Sequence, residues 1–216
     1  MQITIREPGS AITHFIAMML AIFASVPLLV KSGVDAGDIC FLAMGIFIFS
    51  MILLYGASAT YHAVNVSAGA LQIFRKIDHM MIFVMIAGSY TPVCLIVLGG
   101  RMGMILLSLV WGIAVMGMGI NLFWITCPKW FSSLIYIALG WVCVFVFGRL
   151  WEVLSVSAFL WLLAGGIVYT IGGVIYALKL PLFNRKHSHF GSHEIFHLFV
   201  MGGSICHFIF MYGYVA

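Results

Sequence analysis

Three short stretches carry residues whose types and spacing could do chemistry. Ser58 and His62 stand four apart in Ser58-Ala59-Thr60-Tyr61-His62, so a helix sets both on one face. His193 and His197 repeat that spacing in Ser192-His193-Glu194-Ile195-Phe196-His197, and Asp78 with His79 follows the basic pair Arg75-Lys76. Three imidazoles from two helices, with a carboxylate nearby, suit zinc. That ion favours nitrogen ligands, and its catalytic sites keep three protein ligands and leave the fourth position to water. Taken singly, each group has a plainer reading. A His pair on a helix is more often structural, Ser58 can bond back to the carbonyl four residues earlier, and Asp78 can pair with Lys76 or offset a helix N-terminus. Only their convergence would make a metal site.

The elements that must position them are membrane spans. Of 216 residues, 64% are hydrophobic and 7% are charged, against about 25% charged in an average soluble domain. This balance excludes a soluble enzyme, a disordered chain and a nucleic-acid binder. The apolar runs are long and continuous rather than alternating in segments of about 10 residues, so they predict helices and not a membrane β-barrel. Seven spans are expected, at Ser10–Val30, Ile39–Val64, Ile77–Leu98, Met102–Trp124, Trp130–Gly148, Ser157–Leu178 and Ser192–Val215. The fold class is therefore all-α, a single seven-helix transmembrane domain over residues 1–216. The first run has a weak basic n-region and no clear small-residue cleavage site, so it reads as a span and not a signal peptide.

The cations set the orientation. Arg6, Arg75, Lys76, Lys129, Lys179, Arg185 and Lys186 fall on the N-terminal side, and Lys31, Arg101 and Arg149 on the other. Positive residues favour the cytoplasm, which predicts a cytoplasmic N-terminus and an external C-terminus. Span two then ends, and spans three and seven begin, at the cytoplasmic face. Ser58, His62, Asp78, His193 and His197 consequently share one side and one depth. Ionisable groups inside a span are costly and are functional candidates by default.

Other signals read more plainly. His207 lies ten residues beyond His197, about 15 Å along a helix, and is expected to be a hydrogen-bonding interior residue. His14 could line the same cavity without ligating, and His187 and His189 belong to a basic loop. His193-Glu194-x-x-His197 matches the HExxH pattern of zinc proteases. The protease reading ranks low, because Glu194 projects about 100° away from His193 around the helix and no third downstream ligand fits at this depth. Five Cys residues, at 40, 94, 127, 143 and 206, form no close pair and act as small apolar residues. Gly172-Gly173 and Gly202-Gly203 predict close helix contacts, and Trp124, Trp130, Trp151 and Tyr214 an interfacial belt.

Ser58-x-x-x-His62, Asp78-His79 followed by Ala87-Gly88-Ser89-Tyr90-Thr91-Pro92, and His193-x-x-x-His197 with Cys206-His207-Phe208 resemble the hemolysin III family. So does the opening Arg6-Glu7-Pro8 with Thr13-His14. These are bacterial members of the progestin and adiponectin receptor superfamily. The resemblance covers essentially the whole chain. It implies a seven-helix bundle with a cytoplasmic N-terminus and a Zn2+ ion near the cytoplasmic face. His62, His193 and His197 would hold that ion, and Asp78 would contact it through water. The wider superfamily includes alkaline ceramidases, which share this Ser, Asp and His arrangement. No large N-terminal cytoplasmic domain is expected, which separates the chain from the hormone-receptor branch.

Two functions follow as expectations. In the first the chain is a zinc-dependent hydrolase of lipid amides or esters in a bacterial inner membrane. Asp78 would orient water or act as general base, Ser58 would bond the water or the developing oxyanion, and a membrane lipid would be substrate or ligand. In the second it is a non-enzymatic cytolysin, channel or sensor of membrane state with a structural zinc. An open coordination position beside a lipid-sized cavity favours the first; a closed site without a cavity favours the second.

Overall fold

In hydrocarbon every backbone N–H and C=O must be paired within the segment that carries it, and the apolar runs of this chain accordingly form helices. The computed structural model describes residues 5–35, 37–124, 126, 128–178 and 191–216. The elements are α1 (Pro8–Asp35), α2 (Asp38–Ala63), α3 (Ala68–Pro92) continued by a π-helical turn (Val93–Leu98), and α4 (Gly100–Phe123). They go on through α5 (Lys129–Gly140), a 3₁₀ stretch (Trp141–Val146), α6 (Phe147–Val153), α7 (Val156–Leu178), and α8 (Ser192–Phe210) with a closing π-helical turn (Met211–Val215). Among the described residues there is no strand, and seven helical stretches are long and apolar enough to cross a membrane. The basic residues Lys179, Arg185 and Lys186, with His187, His189 and Cys127, lie outside the described residues.

Helices α1, α2 and α3 pack in sequence, α3 packs on α4, α7 lies against both α5 and α8, and α8 reaches back to α1. This last contact closes the bundle and sets the start of α8 beside the end of α2. One core joins Phe47, Met44, Leu28, Phe210 and Met211, and a second joins Phe83, Val110, Ala114 and Leu139. The outward faces of the helices remain apolar, with Phe15, Phe23, Val26 and Phe145 exposed, as lipid contact requires. Trp124, Trp130, Trp151 and Tyr214 are also exposed and lie at or near span ends, which fits the interfacial belt.

Two elements depart from the sequence reading. Helix α3 was expected from Ile77 but begins at Ala68, where the Ser67 hydroxyl accepts from the Ala70 N–H at 3.4 Å. Arg75 and Lys76 therefore belong to a helix and not to a loop, and Asp78 stands ten residues inside α3 instead of opening it. Apolarity marks where a helix enters lipid, whereas a cap marks where it starts. Span five is broken in its middle by the phenol of Tyr90. That hydroxyl donates to the Gly140 carbonyl at 2.6 Å and accepts from the Cys143 N–H at 2.9 Å. An inserted polar side chain of this kind satisfies the backbone groups that a helix break exposes. Spans three and four join at Gly99 and Gly100, whose φ values of 59° and 51° suit glycine.

The glycine pairs make the expected close contacts. A Cβ at Gly203 would meet the Tyr169 ring at 2.7 Å, and one at Gly172 the Phe199 Cβ, also at 2.7 Å. These contacts let α7 and α8 approach closely enough for Ser204 to bond both Tyr55 (2.6 Å) and Tyr169 (2.8 Å). Gly203→Val should thus overpack this seam and lower stability by about 1–3 kcal/mol. Gly112→Ala, on a face with nothing within 4 Å, should not. Thermal unfolding in detergent measures both, and equal Tm values would contradict the packing described.

Candidate metal centre

His62 lies in the last turn of α2, and His193 and His197 in the first two turns of α8. Their i, i+4 spacing turns the α8 pair toward His62. One ligand atom from each of the three residues lies within 4.8 Å of the others. His62 Nε2 and His193 Nε2 are 3.1 Å apart, and His62 and His197 are each 1% exposed. In a tetrahedral site with metal–nitrogen bonds of about 2.0–2.1 Å, neighbouring nitrogens stand about 3.3 Å apart. The three imidazoles therefore fit one small cation with little movement, and three nitrogen donors suit zinc.

The first turns of α1 cover the cluster. Glu7 Oε2 bonds His62 Nδ1, and the Glu7 N–H donates to the His62 carbonyl at 3.0 Å. Thr13 Oγ1 lies 3.4 Å from His197 Nδ1. His14 stacks on His197 with ring centroids 3.6 Å apart and planes at 10°. It stands outside the three-residue group and lines the cavity beside it, as expected. Both His14 ring nitrogens are buried without a hydrogen-bond partner among the described residues, and a polar occupant of the cavity would relieve this cost.

Asp78 and Ser58 are both buried. Neither is in the imidazole group, but both share the cavity wall with His193 and His197. The cavity has a volume of about 160 Å³. Leu54, Ile82, Met85, Phe196 and Val200 form apolar parts of its wall. It extends to His207, whose Nε2 lies 3.3 Å from the Leu162 carbonyl and whose ring packs against Gly165. A polar end and a long apolar body match an amphipathic guest.

The fold and site together define a class: multi-pass helical membrane proteins with a histidine cluster buried at one end of the bundle. The chain matches the Haemolysin-III related family over residues 2–208, and it belongs to that family. It is 35% identical to Hemolysin-3 of Bacillus cereus over 213 residues, covering 97% of this chain and 92% of the relative. It is 34% identical to the Hemolysin-3 homolog of Bacillus subtilis over 206 residues, covering 95% and 92%. A shorter match, 34% over 79 residues, reaches the ADIPOR-like receptor IZH2 of Saccharomyces cerevisiae and covers 35% of this chain and 24% of that protein. It ties the chain to the progestin and adiponectin receptor superfamily. In bacteria such a multi-pass protein resides in the plasma membrane.

The structure brings His62, His193 and His197 into one group and sets Asp78 and Ser58 on the adjoining wall. Reading from the residues singled out neither Glu7 nor Thr13 as a contact of the cluster, because both lie far from the His residues in sequence. The available signal was their position with Ser10 at every third residue, on one face of α1. Glu194 has a local task. Its Oε1 accepts from Ser10 Oγ at 2.7 Å and its Oε2 from the Gly191 N–H at 2.8 Å, so it caps α8 and ties it to α1. Glu194→Ala should remove both bonds and lower stability by about 1–3 kcal/mol, read as a drop in Tm in detergent. An unchanged Tm would show that the carboxylate does not hold the helix.

Proposed function

We propose that this protein is a zinc-dependent hydrolase of lipid amides or esters, with the ion held by His62, His193 and His197. The observation that carries the reading is the three-imidazole group opening beside a mostly apolar cavity with a buried carboxylate on its wall. A closed four-ligand site without a cavity would have supported a structural zinc instead. When bound, zinc supplies a Lewis acid for the scissile carbonyl and acidifies water toward neutrality.

The chain's own residues would do the rest. The apolar wall holds the acyl chain and excludes bulk water from the carbonyl. Asp78 takes a proton from the water that attacks the carbonyl carbon. As the C–N or C–O bond breaks, Asp78 returns that proton to the leaving amine or alcohol. The Ser58 hydroxyl would turn its single hydrogen toward the attacking water or the developing oxyanion. The asymmetry of Lys and Arg supports a cytoplasmic N-terminus, which would set the site near the cytoplasmic face. Membrane lysis, suggested by the name of the Bacillus relatives, is a separate property that a liposome leakage assay addresses.

The purified protein should contain about one zinc per chain, and the double variant His62→Ala/His193→Ala should contain none. Asp78→Asn should keep the zinc but slow hydrolysis by about 10²–10⁴-fold. Lipid profiles of membranes carrying the native protein and Asp78→Asn provide the decisive comparison. Identical profiles would overturn the hydrolase reading, and zinc retained by the double His variant would overturn the ligand assignment.

A further inference from the structure

We infer that the entry of α1 is the outer shell of the metal centre, with Glu7 and Thr13 as positioning residues that fix the tautomers of His62 and His197. The inference rests on the proposed metal reading and goes beyond it by assigning roles to residues that touch no ion. A carboxylate only accepts hydrogen bonds, so the His62 Nδ1 facing Glu7 Oε2 carries the hydrogen. In the neutral ring the lone pair is then on Nε2, the atom that faces His193. The Thr13 hydroxyl directs its own hydrogen to the Gly9 carbonyl (2.9 Å) or the Ser10 carbonyl (3.0 Å). With that hydrogen on a carbonyl, Thr13 accepts from His197 Nδ1–H at 3.4 Å; this is the role the inference assigns to it, and it puts the lone pair of that ring on Nε2 as well. Each contact thus prepares a nitrogen for a cation.

Glu7 is itself held in place. Its N–H bonds the His62 carbonyl, and Arg6 lies 3.5 Å from its carboxylate. Arg6 in turn donates to the Tyr61 carbonyl at 2.8 Å and covers the Tyr61 ring at 4.4 Å. The strand of contacts from Arg6 to Glu7 therefore clamps the segment before α1 onto the last turn of α2. Glu7, Ser10 and Thr13 recur at intervals of three and share one helical face. The Ser10 side chain lies on that face but bonds Glu194; only the Ser10 backbone reaches His197, and Ser10→Ala leaves that backbone contact in place. That side chain separates the two possible meanings of the α1 contacts. If they merely dock the helix, Ser10 matters as much as its neighbours; if they tune the ligands, it does not.

The test is zinc affinity of the full-length protein in detergent, measured by competition with a chromophoric chelator, with thermal unfolding of the zinc-free forms as a check on folding. Removal of an outer-shell partner weakens metal binding by about 10–100-fold. Glu7→Ala and Thr13→Val should each show a loss of that order, Glu7→Gln should fall between Glu7→Ala and the native protein, and Ser10→Ala should bind zinc as the native protein does. Should Glu7→Ala fail to fold, the near-isosteric Thr13→Val carries the test alone. Native affinity in Glu7→Ala and Thr13→Val would overturn the inference while leaving the proposed metal centre standing. An equal loss in Ser10→Ala would also overturn it, since docking would then explain the effect. A native protein that binds no zinc would overturn the proposed function and this inference together.

Discussion

An imidazole buried in a lipid-facing bundle has two ring nitrogens and no bulk water to satisfy them. The arrangement at the start of α8 follows from that constraint. His62 and His197 are both buried; His62 Nδ1 finds Glu7 just before α1, and His197 Nδ1 lies 3.4 Å from Thr13 in its first turns. Their remaining nitrogens are left to one another and to a shared small volume. The same demand explains why α1 must return to the far end of the chain, where Ser10 meets Glu194. α1 is tethered at both ends, through Ser10 to Glu194 at its start and through Lys31, which donates to the Tyr212 carbonyl at 2.6 Å, near its end.

The bundle can meet this demand only because other helices approach closely. Tyr169 lies over Gly203 and His207 over Gly165, so α7 and α8 form a tight seam in which aromatic rings fill space left by missing side chains. Ser204 on that seam bonds two buried phenols, and Tyr90 stitches α3 to the broken middle of span five. Between these seams the helices separate enough to leave the cavity. The polar groups are thus concentrated on a few stitches, and the walls between them remain mostly apolar.

Much of this was legible in the sequence, and the reasons are specific. The His193/His197 pair and the Ser58/His62 pair were readable because helical periodicity puts residues four apart on one face. Their convergence was readable because an alternating seven-span topology brings the end of span two and the starts of spans three and seven to one side. The start of α3 was not readable from hydropathy, since its first turns are capped by Ser67 and continue through Arg75 and Lys76 outside the apolar run. The partners Glu7 and Thr13 were obscured by distance: 55 residues separate Glu7 from His62, and 184 separate Thr13 from His197.

What the sequence alone determined is the class of molecule and the donor set. Scarcity of charge requires a membrane, continuous apolar runs require helices, and periodicity selects which imidazoles share a face. These are properties of composition and of a single helix, so no folded structure is needed to read them. Only the tertiary structure decided that α8 closes on α1. It also decided that three imidazole nitrogens meet within 4.8 Å, that Glu194 serves as a cap, and that a cavity opens beside Asp78. Those outcomes depend on how close two helices come and how each is rotated, which the side chains packed between them set.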